Sequence, residues 1–341
     1  MPEVHNLIEF GKLLKGKKRR DFDKKYGNVL NLIEVNVQVE AITTLSQFYD
    51  PQFRCFTFSD FQMVPTLEEY EQILGYSFKN IKPYHYKGHY PASKMVASLL
   101  KVKQDKLEKY MKSPNGVYGI PLSYLNERLE SFHEEGDWAA FADVLALAIF
   151  GIVLFPNIDN HIDFAAINVF LAVRNERQNP VPTVLKRTLC CLSALSVWLI
   201  THIFHSGLRA SCPILDFKQC FVKPKNKFDW GRYLGDLSEK TVRWYPKWRE
   251  VGTVIYQCGT FPNVPLLGTK GCIYYNPSLA LRQLCYPIMN SPEEDSSLTA
   301  SFIVHGIDNK DIEEHRRVRK AWNHIGHRGR ELGKRSTDAL N

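Results

Sequence analysis

Between Val144 and Phe155 the chain runs for twelve residues without a polar side chain, VLALAIFGIVLF, and Pro156 closes the run. A helix that is apolar on every side must sit inside a large core or a bilayer. A bilayer span needs about 20 such residues, so this stretch predicts a core helix, with Asp137–Asn157 as its outer limits. Asp143 is its one acid after the opening Asp137, expected as a first-turn carboxylate favoured by the helix dipole.

The pattern around that run is mostly helical. Apolar residues three or four apart at Leu32, Val35, Val39, Ile42, Leu45 and Phe48 predict a helix or helix pair, ended by Asp50-Pro51. Phe56, Phe58 and Phe61 form a short aromatic segment. Thr66 with Glu69 three residues on makes a capping box before Leu67, Tyr70, Ile73 and Leu74, and Gly75 supplies the stop. A single helix is expected from Pro91 to Lys112, and another from Pro121 to Gly136. Two more apolar helices follow, Asp163–Val173 and Thr183–His205, separated from the central one by a linker at Asn157–His161.

After Thr241 the texture changes to aromatic, β-branched, Gly and Pro residues, which predicts short strands and loops with a helix at Ser278–Leu284. Gly207–Leu237 has no clear period, Asn290–Ser297 reads as an exposed acidic turn, and Ile307–Arg330 reads as one polar helix. The expected fold is mainly α, a multi-helix globular bundle with an irregular, partly β C-terminal third. A basic segment over 1–20 leads a single large domain over 21–335, with a possible subdivision near 207–240 and a tail at 336–341.

Composition agrees with a folded chain: 44% hydrophobic and 23% charged over 341 residues. The net charge of +8 is unevenly spread. Residues 1–25 carry eight Lys/Arg against four acids, 79–112 nine against two, and 310–341 nine against five. Such segments suit a polyanion. Lys17, Lys18, Arg19, Arg20, Lys82, Lys87, Arg316, Arg317 and Arg319 are the candidate nucleic-acid-binding residues; ordinary solvated lysine faces are the plainer alternative. His85 and His89 lie in a Tyr-rich loop where an exposed ring can stack on a base, or pack on the body. KGKKRR at Lys15–Arg20 fits a nuclear-import cluster. No secretory leader and no span of transmembrane length is read from the chain, so the nucleus, or otherwise the cytoplasm, is the expected location.

Cys190, Cys191, His202, His205, Cys212 and Cys220 fall within thirty-one residues, but without the paired knuckles of a structural zinc site. His315, His324 and His327 share a segment with four Arg or Lys, surroundings hostile to a metal cation. No phosphate loop, dinucleotide fingerprint, nucleophile elbow or HExxH is present. Lys270 in LLGTKG offers a lone phosphate or Schiff-base lysine, a signal of almost no specificity. Catalytic, metal and cofactor residues are therefore assigned to none.

Four stretches carry a family resemblance: Phe56–Gly75, Leu145–Asn157, Cys258–Pro287 and Ala321–Lys334. In this order they resemble a plant domain of unknown function found in transposon- and retrotransposon-associated proteins, notably of legumes, which looks related to the aminotransferase-like plant mobile domain. The likeness covers about residues 20–335. The segment Val181–Cys191 is shorter than in that family's pattern, which implies a missing helical hairpin. The resemblance implies a mostly helical domain without established catalytic residues, acting in the nucleus with nucleic acid or chromatin proteins. A protein–protein scaffold, and a degenerate transposase-like nuclease or pyridoxal enzyme, are the competing expectations.

Overall fold

In the computed structural model, which describes residues 4–77, 81–204, 222–244, 253–269, 271–284, 286, 302–303 and 309–329, the apolar run is the hub. The helices are α1 (His5–Leu13), α2 (Lys17–Tyr26), α3 (Val29–Leu32), α4 (Val39–Leu45), α5 (Leu67–Leu74), α6 (Ser93–Leu99), α7 (Gln104–Tyr110), α8 (Leu122–Glu134) and α9 (Trp138–Ile149). They continue as α10 (Phe164–Glu176), α11 (Val181–Lys186), α12 (Leu192–His202), α13 (Lys227–Gly235), α14 (Pro277–Gln283) and α15 (Asn309–Ala321). Helix α9 packs against α1, α2, α3, α6, α8 and α10. Every residue from Asp143 to Ile149 is buried. Each large apolar side chain sealed there contributes about 1.5–3 kcal/mol relative to exposure.

Asp137 starts α9 by accepting the Ala140 amide proton at 3.2 Å. The helix then widens into a π-helical turn over Phe150–Leu154 instead of running on regularly. Gly151 lets Ile162 pack directly on that turn: a Cβ there would lie 2.5 Å from Ile162 Cγ1 and 2.8 Å from its Cβ. Ile162 belongs to β5 (His161–Asp163), antiparallel to β4 (Gly119–Pro121), so the expected linker at Asn157–His161 ends in a strand.

The remaining sheets are small. Strands β1 (Tyr49–Asp50), β2 (Cys55–Thr57) and β3 (Gln62–Met63) form an antiparallel meander. Strand β6 (Thr253–Cys258) pairs with β10 (Ile325–Gly329), and β7 (Val264–Leu267), β8 (Gly271–Tyr275) and β9 (Phe302–Ile303) form the third layer. The mainly helical fold with a partly stranded C-terminal region is the one expected. Thr66 and Glu69 close their capping box and Gly75 ends α5 in the left-handed region at φ 74°.

Several element boundaries differ from expectation, each for a local reason. The helix expected over 91–112 is two, because Lys101 turns left-handed at φ 52° and Val102 N–H closes on Ala97 O at 3.0 Å. The Lys101 side chain pairs with Asp137. The helix expected over 183–205 also breaks in two. Thr188 turns its hydroxyl back to Leu185 O at 2.6 Å, and its chain reverses through Cys190 N–H to Arg187 O at 2.7 Å.

Asp143 is not a first-turn carboxylate; it stands six residues past the cap, in the second turn, beyond the reach of the terminal dipole. The aperiodic stretch before Leu237 contains α13, capped by Asn226 and anchored by buried Trp230 and Leu234. The polar helix expected to Arg330 stops at Ala321, because Ile325–Gly329 completes the edge of β6. The basic residues 17–20 are the first turn of α2, whose Phe22 and Tyr26 are buried. The acidic turn at 290–297 and the tail lie outside the described residues.

Candidate anion-binding site

The loop of residues 81–90 is held in place by its backbone. Tyr84 N–H donates to Asn179 O and Asn179 N–H to Lys82 O, each at 2.7 Å, and Pro83 bridges Asn179 in parallel. Tyr84 is fully buried, with Asn168 Nδ2 donating to its hydroxyl at 3.0 Å. Tyr84 and His85 therefore pack on the body, as the plainer reading had it, while His89 is exposed. Gln178 completes the clamp, its Oε1 accepting from His85 N–H at 3.0 Å.

Helix α15 forms the facing wall. His315 and Val318 on this helix, and Trp322 in the 3-10 turn that follows it, recur at helical spacing. Val318 is buried, and Trp322 Nε1 donates to Pro265 O at 2.9 Å, fixing the helix end on β7. The rings of His85 and His315 stack with centroids 4.1 Å apart and planes 19° from parallel. Between the walls lies a slot of about 60 Å³, lined by Lys82, Pro83, His85, Gln178, Leu267, Arg319, Trp322 and Asn323. Small-molecule sites run to about 300–1,000 Å³, so this one admits a few waters or one inorganic-anion-sized group.

Its electrostatics are one-sided. Burial, and the mutual repulsion that charging would meet from His315, Arg319 and Lys87, pushes His85 down to about 3. Burial and Arg319 also lower His315. Both rings are neutral near pH 7, and the positive charge comes from the exposed Lys82 and Arg319, neither with a side-chain partner among the described residues. His85 Nδ1 is buried without a hydrogen-bond partner. Two cations, the Asn323 amide and an open imidazole nitrogen suit a phosphate or similar oxyanion, whereas Gln178 Nε2 already donates to Glu176 at 2.8 Å.

Of the nine residues read from the sequence, the slot gathers Lys82 and Arg319. Lys87 is adjacent but ion-paired to Glu176 at 2.5 Å. Arg317 pairs with Glu314 at 2.5 Å and lies over Phe261, while Arg316 is exposed on the same helix. Lys17, Lys18, Arg19 and Arg20 stand in another neighbourhood. There Lys18 lies 3.3 Å over the Trp138 ring and Arg19 binds Asp23 and Asn31, with Lys17 and Arg20 exposed. Sequence reasoning did not find Gln178, which lies far from every basic run, or Trp322 and Asn323, whose only signal was nearness to the last of them. It did name His85 and His315, without pairing them.

The other sequence candidates do not join the slot. His202 uses both ring nitrogens, Nδ1 to Arg243 O at 2.7 Å and Nε2 to Glu69 at 3.0 Å, which leaves none for zinc. Cys191 is buried with its thiol pushed up to about 12 by burial. Among the described residues no three His, Cys, Asp or Glu side chains cluster as a metal site. His205, Cys212, Cys220 and Lys270 lie outside the described residues. No described helix is long and apolar enough to cross a membrane.

The profile of a protein family described as Domain of unknown function (DUF7745) matches residues 7–341. No curated protein and no solved structure matches the chain.

Proposed function

We propose, for a chain that belongs to the DUF7745 domain-of-unknown-function family, a role as a non-catalytic nucleic-acid-binding domain that grips the phosphate backbone at the slot between loop 81–90 and α15. One observation supports the reading. Two basic segments some 230 positions apart in the chain meet there and leave Lys82 and Arg319 unpaired around an anion-sized space. The slot is too small for a base, so the recognition proposed is of phosphate and independent of sequence. Relation to transposon-associated plant proteins and the plant mobile domain, and with it nuclear location, belongs to the proposal through the resemblance of the four sequence stretches alone.

Such binding is electrostatic and salt-dependent. Affinity for generic duplex DNA or RNA falls by orders of magnitude between about 50 and 200 mM salt if several phosphates are contacted. Fluorescence anisotropy across that range tests it, and negligible binding to both polymers at low salt defeats it. The pairing of Lys87, Arg317 and Arg19 with acids favours the second reading, a scaffold for protein partners. Pull-down with and without nuclease separates the two, since scaffold partners survive the digestion.

A further inference from the structure

The slot between loop 81–90 and α15 grades from a wet mouth to a dry interior. Lys82, Arg319 and Asn323 are exposed, whereas Leu267 and Trp322 are buried. His85 lines the same space, and its Nδ1 is buried with no hydrogen-bond partner. A buried nitrogen left unpaired costs free energy, so the interior is built for an occupant that answers it. The stack on His315, 4.1 Å between centroids, holds the His85 ring in place. Gln178 brings the Glu176 carboxylate close, but that group already accepts from Lys87 at 2.5 Å and from Gln178 Nε2 at 2.8 Å.

Charge and shape separate a terminal phosphate from one inside a strand. An in-chain phosphodiester bears a single charge, two free oxygens and a sugar on each side, so it lies along a surface. A phosphomonoester bears about −1.5 to −2 charges at pH 7 and three free oxygens on one substituent, so it enters end first. The two unpaired cations, Lys82 and Arg319, match that higher charge. A space of about 60 Å³ takes one phosphate group and no sugar ring. Contacts at the mouth leave one oxygen for His85, whose neutral ring donates to it in the Nδ1–H tautomer.

We propose that the slot recognises the end of a nucleic-acid strand, holding its terminal phosphomonoester with Lys82, Arg319 and Asn323 and placing one oxygen on His85 Nδ1. The inference rests on the slot being the phosphate site and goes on to name which phosphate enters it. Fluorescence anisotropy of the full chain at low salt tests it. The probes are one internally labelled DNA strand phosphorylated at either end or at neither, its closed circle, and a phosphoserine peptide. One of the end-phosphorylated strands should bind about tenfold more tightly than the hydroxyl-ended strand or the circle. His85→Phe keeps a ring against His315 and removes the nitrogen, and Arg319→Ala removes an exposed cation. Each should lower that ratio several-fold, with an unchanged denaturation midpoint showing that the variant folds. Equal affinity for every strand overturns the proposal while leaving backbone binding in place, whereas no binding to any strand overturns both. A phosphoserine peptide bound as tightly as the phosphorylated strand, or a ratio indifferent to both substitutions, also overturns it.

Discussion

Two sealed carboxylates and the open slot treat charge in opposite ways. Asp143, 6% exposed, receives Lys25 Nζ at 2.6 Å, the Tyr26 hydroxyl at 2.6 Å and Arg174 Nε at 2.5 Å. Glu69 is fully buried and accepts from Thr66 N–H at 2.9 Å and Trp198 Nε1 at 3.0 Å, with His202 Nε2 at 3.0 Å. At the slot, Lys82 and Arg319 make no ion pair among the described residues. An unpartnered charge in the core costs several kcal/mol, whereas at the surface water answers it. Interior polar groups here join helices; the slot's cations are left for something that arrives from solution. That difference separates the residues that hold the fold from those available to bind.

Removing an interior acceptor should have the largest effect. Glu69→Ala leaves Trp198 N–H, Thr66 N–H and the His202 ring facing a dry gap, and it disconnects α5 from α12. A loss of about 3–5 kcal/mol is expected, read as a lower urea midpoint at unchanged slope. A loss below about 1 kcal/mol would show that Glu69 is a helix cap and nothing more.

Asp143→Asn should cost less, about 2 kcal/mol, because the Lys25 and Arg174 tips are partly exposed and can turn to water. Here the pH dependence sharpens the contrast. Burial pushes the Asp143 carboxyl up, but hydrogen bonds from Lys25, Tyr26 and Arg174 outweigh it and hold the group below its ordinary 3.8. The unfolded chain then takes up this proton first, so the contribution is present above pH 3.8 and is lost as pH falls through the lowered folded value. The Asn variant should lack that part of the acid loss. Urea midpoints at pH 7 and pH 3 measure it, and identical acid losses in both proteins would break the assignment.

What could be read from the sequence follows the range of each interaction. The capping box at Thr66 and Glu69, the apolar α9 and the start of α8 depend on neighbours within a few positions, and their residue types announce them. The second duty of Glu69 does not show, because Trp198 and His202 lie more than 120 positions away. Asp143 was visible as the lone acid in an apolar run, yet its partners come from α2 and α10. Lys101 hides the break between α6 and α7 for the same reason. A lysine at φ 52° carries no local turn signal, and its ion pair to Asp137 joins it to a residue 36 positions away. The slot was half legible: charge density marked both strips, but only folding shows that Lys82 and Arg319 meet while Lys17–Arg20 face elsewhere.

The slot variants should disturb the fold least and binding most selectively. Lys82→Ala and Arg319→Ala remove exposed, unpaired side chains, so their stability changes should stay within about 0.5 kcal/mol. Each should nevertheless weaken nucleic-acid binding and lower the slope of log affinity against log salt by about 1, the signature of one lost phosphate contact. Lys87→Ala makes the sharper control. Its ammonium is already neutralised by Glu176, so it has less counterion release to contribute, and the slope should change by less than for either slot residue. If Lys87→Ala flattens the slope as much as Lys82→Ala, the polyanion responds to the summed charge of the loop. The slot then has no privileged part in binding, and the distinction between paired and unpaired cations fails at the surface while still holding in the core.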